Sequence, residues 1–403
     1  MTAAFTYDER VCPPDADDQP AAWSGPSTAR PGPRPALRIS FLADAPSVLN
    51  QRWFRYAVGR GDDVHVVTLD PAPVAIPGVT EHIVGRWLPA ALPRSLRMAA
   101  AAPQVRALVR RLHPDLVHSH YAWGFGIWGA ATGVHPFVVS AWGTDVMGSA
   151  NGSWLRRTVL RWVFDRADMV CATGEQLAQV TRRFSDDEVV VTPFGVDTSA
   201  FSPAEPADDE ATDSDAEPAV TPLRLGMVKR LDDNSGIGIL LQALADPAAP
   251  PGATLEVIGA ATDDGWQTLA RDLGLADRVT FRGALPPAQV ARAIRTWDLA
   301  VQPSRWVEGF GVSALEASAS GVPVVASRLG GLQEVVQDGV TGRLVTPNDP
   351  VALATVLAEL AAAPRERRAM GAAGRSWVVG RYDEQTAEET MDRVYHAALE
   401  GHA

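Results

Sequence analysis

Two carboxylates eight positions apart, Glu308 and Glu316, flank a glycine turn in the stretch Glu308-Gly309-Phe310-Gly311. Glycines let backbone come close to a ligand, and a helix opening near Ser313 offers N–H groups and a positive dipole end to phosphate. The two carboxylates suit hydrogen bonds from the hydroxyls of a sugar or ribose. Of the 36 basic residues, 35 are Arg, and the only lysine, Lys229, stands beside Arg230 at the end of the apolar run Leu223–Val228. Glycine turns before helices and solvated charged pairs are also common in proteins without such chemistry, so the pattern gains force only from its surroundings.

Those groups need a scaffold, and the chain supplies a βα rhythm. In the first half, apolar runs at Leu37–Leu42, Val64–Leu69, Asp115–His118, Phe137–Ala141, Met169–Ala172 and Val189–Thr192 read as buried strands. Helices are expected over Val48–Gly59, Arg94–Leu112 and Glu175–Phe184. The rhythm restarts with strands expected at Leu223–Val228, Thr254–Ile258, Arg278–Phe281, Leu299–Pro303 and Pro323–Ala326. Helices fit Ile237–Ala245, Trp266–Leu273, Pro287–Arg295, Val312–Ser320, Pro350–Ala362, Pro364–Trp377 and Glu384–Leu399. Alternating strands and helices predict parallel sheets covered on both faces, in two doubly wound α/β domains. Ligands of such domains sit at the carboxyl ends of the strands, in a cleft between the two.

With 403 residues the chain is long enough for two ordinary domains, and 46% hydrophobic with 21% charged residues is a globular composition. Residues 1–35 are rich in Pro, Asp and Ala without periodicity and read as disordered. The formal net charge of −12 is concentrated: Ala204–Thr221 holds seven acidic residues and no basic one, which reads as an acidic linker over 203–222. Nothing points to nucleic acid. No apolar run is long enough to span a membrane, the N-terminus does not read as a signal peptide, and Cys12 and Cys171 form no framework, so the cytoplasm is expected. Asp213-Ser214-Asp215 and Asp15-Ala16-Asp17 have the D-x-D form of a metal site but lie in acidic or Pro-rich stretches, and His118 with His120 lacks further ligands, so no metal is expected. Arg86, Arg94, Arg97, Arg106, Arg110 and Arg111 lie among Trp87, Leu88, Leu92, Leu96 and Met98, and Trp154–Trp162 repeats the theme. Peripheral contact with the inner membrane face stays open beside the plainer reading of solvated helix faces.

The stretch from Ala300 to Gly342 resembles retaining glycosyltransferases of the GT-B fold, specifically family 4. There a strand ends in Pro303-Ser304, E-G-F-G and Glu316 follow, then Gly321-Val322-Pro323-Val324-Val325-Ala326, Gly330-Gly331 and Glu334-Val335-Val336. Further similar segments are Thr192–Asp197 with Phe201, Asp115 with His118 and His120, Gly143-Thr144-Asp145, and Gln51-Arg52-Trp53. The resemblance implies an acceptor-binding domain over 36–200, a nucleotide-sugar-binding domain over 222–382 and a last helix, 383–403, that returns to the first domain. It implies sugar transfer from a nucleoside diphosphate sugar, UDP being the commonest, to an unknown acceptor with retained configuration. Glu308 would hold donor sugar hydroxyls and developing charge, Gly309, Phe310 and Gly311 would offer backbone donors, Glu316 would bind ribose, and Lys229 with Arg230 would neutralise the diphosphate. Arg282 is counted with the donor-binding residues, Asp145 and Trp142 with the acceptor side, and His120 with the catalytic groups. No cofactor is expected.

Two positions depart from the family pattern. Asn234 and Ser235 stand where a second lysine is usual before Gly236, and Trp142 replaces a frequent histidine before G-T-D. These departures keep two alternatives open: a nucleotide-sugar-binding protein without turnover, and an epimerase or phosphorylase on the same fold.

Overall fold

A computed structural model describes residues 35–150, 153–204, 222–261, 264–306 and 308–401. The expected disordered segment, both D-x-D sequences and nearly all of the acidic linker lie outside the described residues. The described chain forms two compact units, one running up to Pro193 and resuming at Ala387, the other Phe194–Thr386.

The first unit contains β1 (Arg38–Leu42), α1 (Val48–Gly59), β2 (Asp63–Thr68), β3 (Val79–Ile83), α2 (Arg94–Leu112), β4 (Leu116–His120), α3 (Phe125–Thr132), β5 (Phe137–Ala141), α4 (Thr144–Ala150), α5 (Trp154–Phe164), β6 (Met169–Ala172), α6 (Glu175–Thr181) and β7 (Val189–Val191). Its sheet is wholly parallel in the order β3-β2-β1-β4-β5-β6-β7. The central strands β4 and β5 are buried at every position, which is why they read as continuous rather than alternating apolar runs. One core layer joins Val105, Trp128, Phe137 and Leu160. The other packs Ile39, Phe41 and Phe54 with Met391, Val394 and Tyr395, so most of the last helix covers this sheet.

The second unit contains β8 (Arg224–Val228), α7 (Ile237–Ala245), β9 (Thr254–Ile258), α8 (Gly265–Asp272), β10 (Val279–Gly283), α9 (Pro287–Ile294), β11 (Leu299–Gln302), α10 (Val312–Ala319), β12 (Val324–Ser327), α11 (Leu332–Val335), β13 (Gly342–Val345), α12 (Pro350–Ala362) and α13 (Pro364–Arg381). The last helix, α14, spans Glu384–Glu400 and carries the chain out of this unit. The parallel sheet runs β10-β9-β8-β11-β12-β13. From β8 the chain winds outward to β9 and β10, then returns to β11 on the other side. The β8–β11 pair is therefore the topological switch point, where the loops at the carboxyl ends diverge and leave a crevice.

Two segments that continue the chain between units are fixed to the second one. Val196 bridges Asp383, Arg295 donates to the carbonyls of Ala200 and Ser202, and Arg375 donates to those of Thr198, Phe201 and Ala319.

Candidate active site

Lys229 leaves the end of β8 and Ser304 lies just past the end of β11, so strand pairing brings together residues 75 apart in sequence. The Lys229 ammonium donates to the Ser304 hydroxyl at 2.5 Å and forms an ion pair with Glu308. The Ser304 hydroxyl donates in turn to Glu308 Oε2 at 3.0 Å. Ser304 is fully buried, while the Lys229 and Glu308 side chains keep 17% and 20% of their surface exposed. A charged pair in that half-wet position is strengthened by its surroundings, yet a ligand can still reach it.

The loop that carries Glu308 is held by backbone packing. Gly331 donates its N–H to the Glu308 carbonyl at 3.0 Å, and a Cβ on Gly331 would lie 2.4 Å from Phe310 Cα. The Gly330-Gly331 pair thus lets a second loop lie directly on E-G-F-G. Gly311 caps α10, and Glu316 sits half-buried in the helix's second turn. The Phe310 side chain is buried, with ring centres 6.0 Å from Phe194 and 5.7 Å from Tyr382. The ring therefore anchors the turn, leaving its backbone for any ligand.

In the loop after β8, Asn234 and Ser235, which stand near the place of the usual second lysine, have structural partners. Asp232 Oδ1 accepts the N–H groups of Asn234 and Ser235, and Asn234 Oδ1 accepts the N–H of Trp306 at 3.1 Å. The N–H of Arg305 reaches the Asn234 carbonyl at 3.1 Å. Gly236, at φ +75°, passes so near Pro303 that a Cβ would stand 1.7 Å from its carbonyl oxygen. Asn234 thus braces the β11 loop, a job that a lysine ammonium, with no acceptor, could not perform.

Several expected site residues lie elsewhere or do other work. Arg230 points outward, 80% exposed, and pairs with Asp232 at 3.0 Å, so only Lys229 of the pair touches Glu308. Arg282 ends β10, the edge strand, and is held by Glu256 of β9 at 2.9 Å. Strand β9 lies between β10 and β8, and the Arg282 guanidinium is paired there rather than with Glu308. Asp145 is buried, and its carboxylate accepts the N–H groups of Ala122, Trp142 and Gly143 at 2.7 to 3.1 Å. Burial raises its pKa against those hydrogen bonds. It ties the loops after β4 and β5 together.

His120 ends β4, beside β1 at the switch point of the first sheet, and is 1% exposed. Asn50 donates through Nδ2 to the Asp44 carbonyl at 2.8 Å, which turns its Oδ1 toward His120 Nδ1 at 2.7 Å. Nδ1 therefore carries the proton, and Nε2 has no partner among the described residues. Burial and neighbouring His118 hold its pKa well below the ordinary imidazole value. Burial thus favours the neutral form of this imidazole. His118 is a structural group: Tyr395 and Ser140 meet its two nitrogens at 2.8 and 2.9 Å, and burial pushes its pKa down to about 3. The Trp142 ring is half-buried, 4.9 Å from that of His120. No three His, Cys, Asp or Glu side chains gather into a metal-binding group among the described residues.

Two wholly parallel α/β units, with a lysine–carboxylate cluster at the switch point of the second, define the GT-B class of architecture. Solved structures agree on the fold. Sucrose-phosphate synthase of Thermosynechococcus elongatus superposes with a TM-score of 0.78 at 23% identity, over 90% of this chain and 99% of that one. HepE of Anabaena, in complex with UDP and glucose, gives 0.73 at 20% identity, over 90% and 100%.

The glycosyl transferases group 1 model matches residues 208–377, and the glycosyl transferase 4-like model matches 38–174. The D-inositol 3-phosphate glycosyltransferase of Streptomyces scabiei is 31% identical over 316 residues, 72% of this chain and 69% of that protein. That of Segniliparus rotundus is 37% identical over 245 residues, and the match spans about half of its length (53%) and 58% of this chain. The chain belongs to the group 1 glycosyl transferases and is a glycosyltransferase of the GT-B class.

Proposed function

We propose that the protein moves a glycosyl group from a nucleoside diphosphate sugar to a hydroxyl acceptor with retained configuration and without a metal ion. The Lys229–Ser304–Glu308 cluster carries this reading, because it sets a cation and a carboxylate side by side at the switch point of a doubly wound sheet. Lys229 stabilises the diphosphate as the C1–oxygen bond breaks, Glu308 holds sugar hydroxyls and the charge developing on the ring, and Glu316 binds ribose. The leaving phosphate takes the proton of the acceptor hydroxyl as the new bond forms on the same face of the sugar. No protein base is needed, in keeping with a buried, neutral His120.

UDP is the first donor nucleotide to test, since HepE is solved with UDP; GDP stays beside it. The names of the related proteins make D-inositol 3-phosphate the first acceptor to try. In the first unit Trp87, Leu96, Trp154 and Leu155 are exposed among arginines. That pattern supports peripheral contact with an anionic lipid surface, although no helix of the described residues is long and apolar enough to cross a membrane.

The test is a panel of UDP-, GDP- and ADP-hexoses, with and without D-inositol 3-phosphate, in EDTA. One donor should release its nucleoside diphosphate in EDTA, and Glu308→Gln should abolish most of that turnover while nucleotide still binds. Activity lost in EDTA and restored by manganese would sink the metal-free reading. Parental turnover in Glu308→Gln would remove the site.

A further inference from the structure

Ser304 is buried, uncharged and seated between the two charged groups to which the proposed reaction assigns work. Its hydrogen bonds can be assigned from valence alone. An ammonium has only donors and an ionised carboxylate only acceptors. Lys229 therefore donates to Ser304 Oγ, and the single Ser304 proton points to Glu308 Oε2. Oε2 receives both Lys229 and Ser304, whereas Oε1 has no hydrogen-bond partner among the described residues.

We propose that Ser304 is a positioning residue for the transfer reaction, holding Glu308 Oε2 so that Oε1 faces the donor sugar and Lys229 is free to turn to the diphosphate. The inference rests on the donor-side reading of Lys229 and Glu308. When an anionic diphosphate draws the ammonium away, Glu308 loses its strongest partner. A carboxylate left bare in a half-buried place would turn toward water or follow the lysine. The Ser304 hydroxyl keeps one bond on Oε2 throughout, because the chain is held on both sides of it, by strand pairing up to Gln302 and by the Arg305 N–H on the Asn234 carbonyl. Alanine at the same position keeps the ion pair and the strand and removes the hydroxyl, with its bonds to Lys229 and to Glu308.

The experiment is a double-mutant cycle on kcat, using the hexose nucleotide turned over fastest in the panel, with UDP affinity measured by calorimetry. Ser304→Ala should lower kcat by about tenfold, equivalent to about 1.4 kcal/mol of barrier, with donor KM and UDP affinity within about threefold of the parent. In a Glu308→Ala background the same change should have almost no further effect, since the carboxylate it positions is gone. A general packing role would instead lower kcat equally in both backgrounds, and that result would overturn the proposal. So would a parental kcat in Ser304→Ala when Glu308→Ala is impaired. Parental turnover in Glu308→Ala itself would bring down the donor-side reading, a failure separable from that of Ser304.

Discussion

Replacing Gly331 by alanine tests whether the placement of Glu308 depends on the loop stacked against it. Gly331 has φ −59° and ψ −17°, ordinary right-handed values, so alanine meets no backbone strain. Space is the only objection. The new Cβ would stand 2.4 Å from Phe310 Cα and 2.8 Å from the carbonyl oxygens of Gly309 and Phe310. Ordinary contact begins near 3.4 Å, so the two loops must part by at least 3.4 − 2.4 = 1.0 Å. Neither neighbour is a flexible side-chain tip, and Phe310 is clamped by Phe194 and Tyr382, so the backbone of E-G-F-G has to give. Overpacking of this kind costs about 1–3 kcal/mol of stability, and an ångström of misplacement at a reacting centre costs on the order of 100-fold in rate. Gly380→Ala is the control, because no atom lies within 4 Å of its added Cβ, on the last turn of α13. It should leave kcat alone and hold or raise stability by up to about 1 kcal/mol. Turnover of the panel donor and urea denaturation would be measured on both variants. A Gly331→Ala enzyme that is folded and turns over at the parental rate would refute the claim that this stacking places Glu308.

Lys229→Ala should lower kcat by roughly 100-fold or more while Arg230→Ala, which loses only an exposed pair with Asp232, changes it far less; equal effects in steady-state kinetics would remove the special place of Lys229. Glu316→Ala should chiefly raise donor KM, because a ribose contact is alike in ground and transition states; a fall in kcat at unchanged KM would move Glu316 into the chemistry. Stability of the first unit should fall with acid, since His118 has a folded pKa of about 3 against an ordinary unfolded value near 6.5. The unfolded chain takes up that proton first, so stability is complete above about pH 6.5 and drops by up to about 1.4 kcal/mol per pH unit as pH falls toward 3. Urea midpoints at about pH 7 and 5.5 should therefore differ less in His118→Gln than in the parent, and an unchanged difference would contradict the buried neutral imidazole.

Local signals in the sequence reported much of this arrangement, and long-range pairing supplied the remainder. Helices α1, α2, α7 and α12 and strand β9 lie where their apolar patterns place them, because each has an unambiguous period or turn signals at its ends. Strand β3 was not expected: Val79-Thr80-Glu81-His82-Ile83 is a half-buried edge strand carrying a charge. Helix α3, Phe125–Thr132, has two glycines and is apolar around most of its circumference, so it shows no helical face. Glu308 and its glycines were legible because they are consecutive. Ser304 was visible only as the end of a Pro-Ser strand; its bond to Lys229 exists because β8 and β11 pair, which no local pattern announces. Arg282 and Lys229 looked alike as cations at strand ends, and sheet order alone separates them.

Burial separates the remaining candidates by what their charge is able to do. Asp145 and Glu308 are both acids beside glycines, but three backbone N–H groups occupy Asp145 inside the protein. Glu308 keeps a fifth of its side-chain surface, and its Oε1 has no hydrogen-bond partner among the described residues. The same contrast holds between the two switch points. At β1–β4, His118 and His120 are fully buried and held neutral, so that place can offer hydrogen bonds but no charge at ordinary pH. At β8–β11 the lysine and glutamate are ion-paired and keep 17% and 20% of their side-chain surface exposed. Of the three candidate cations, Lys229 is the one paired within the cluster, because Arg230 and Arg282 are engaged by carboxylates outside it.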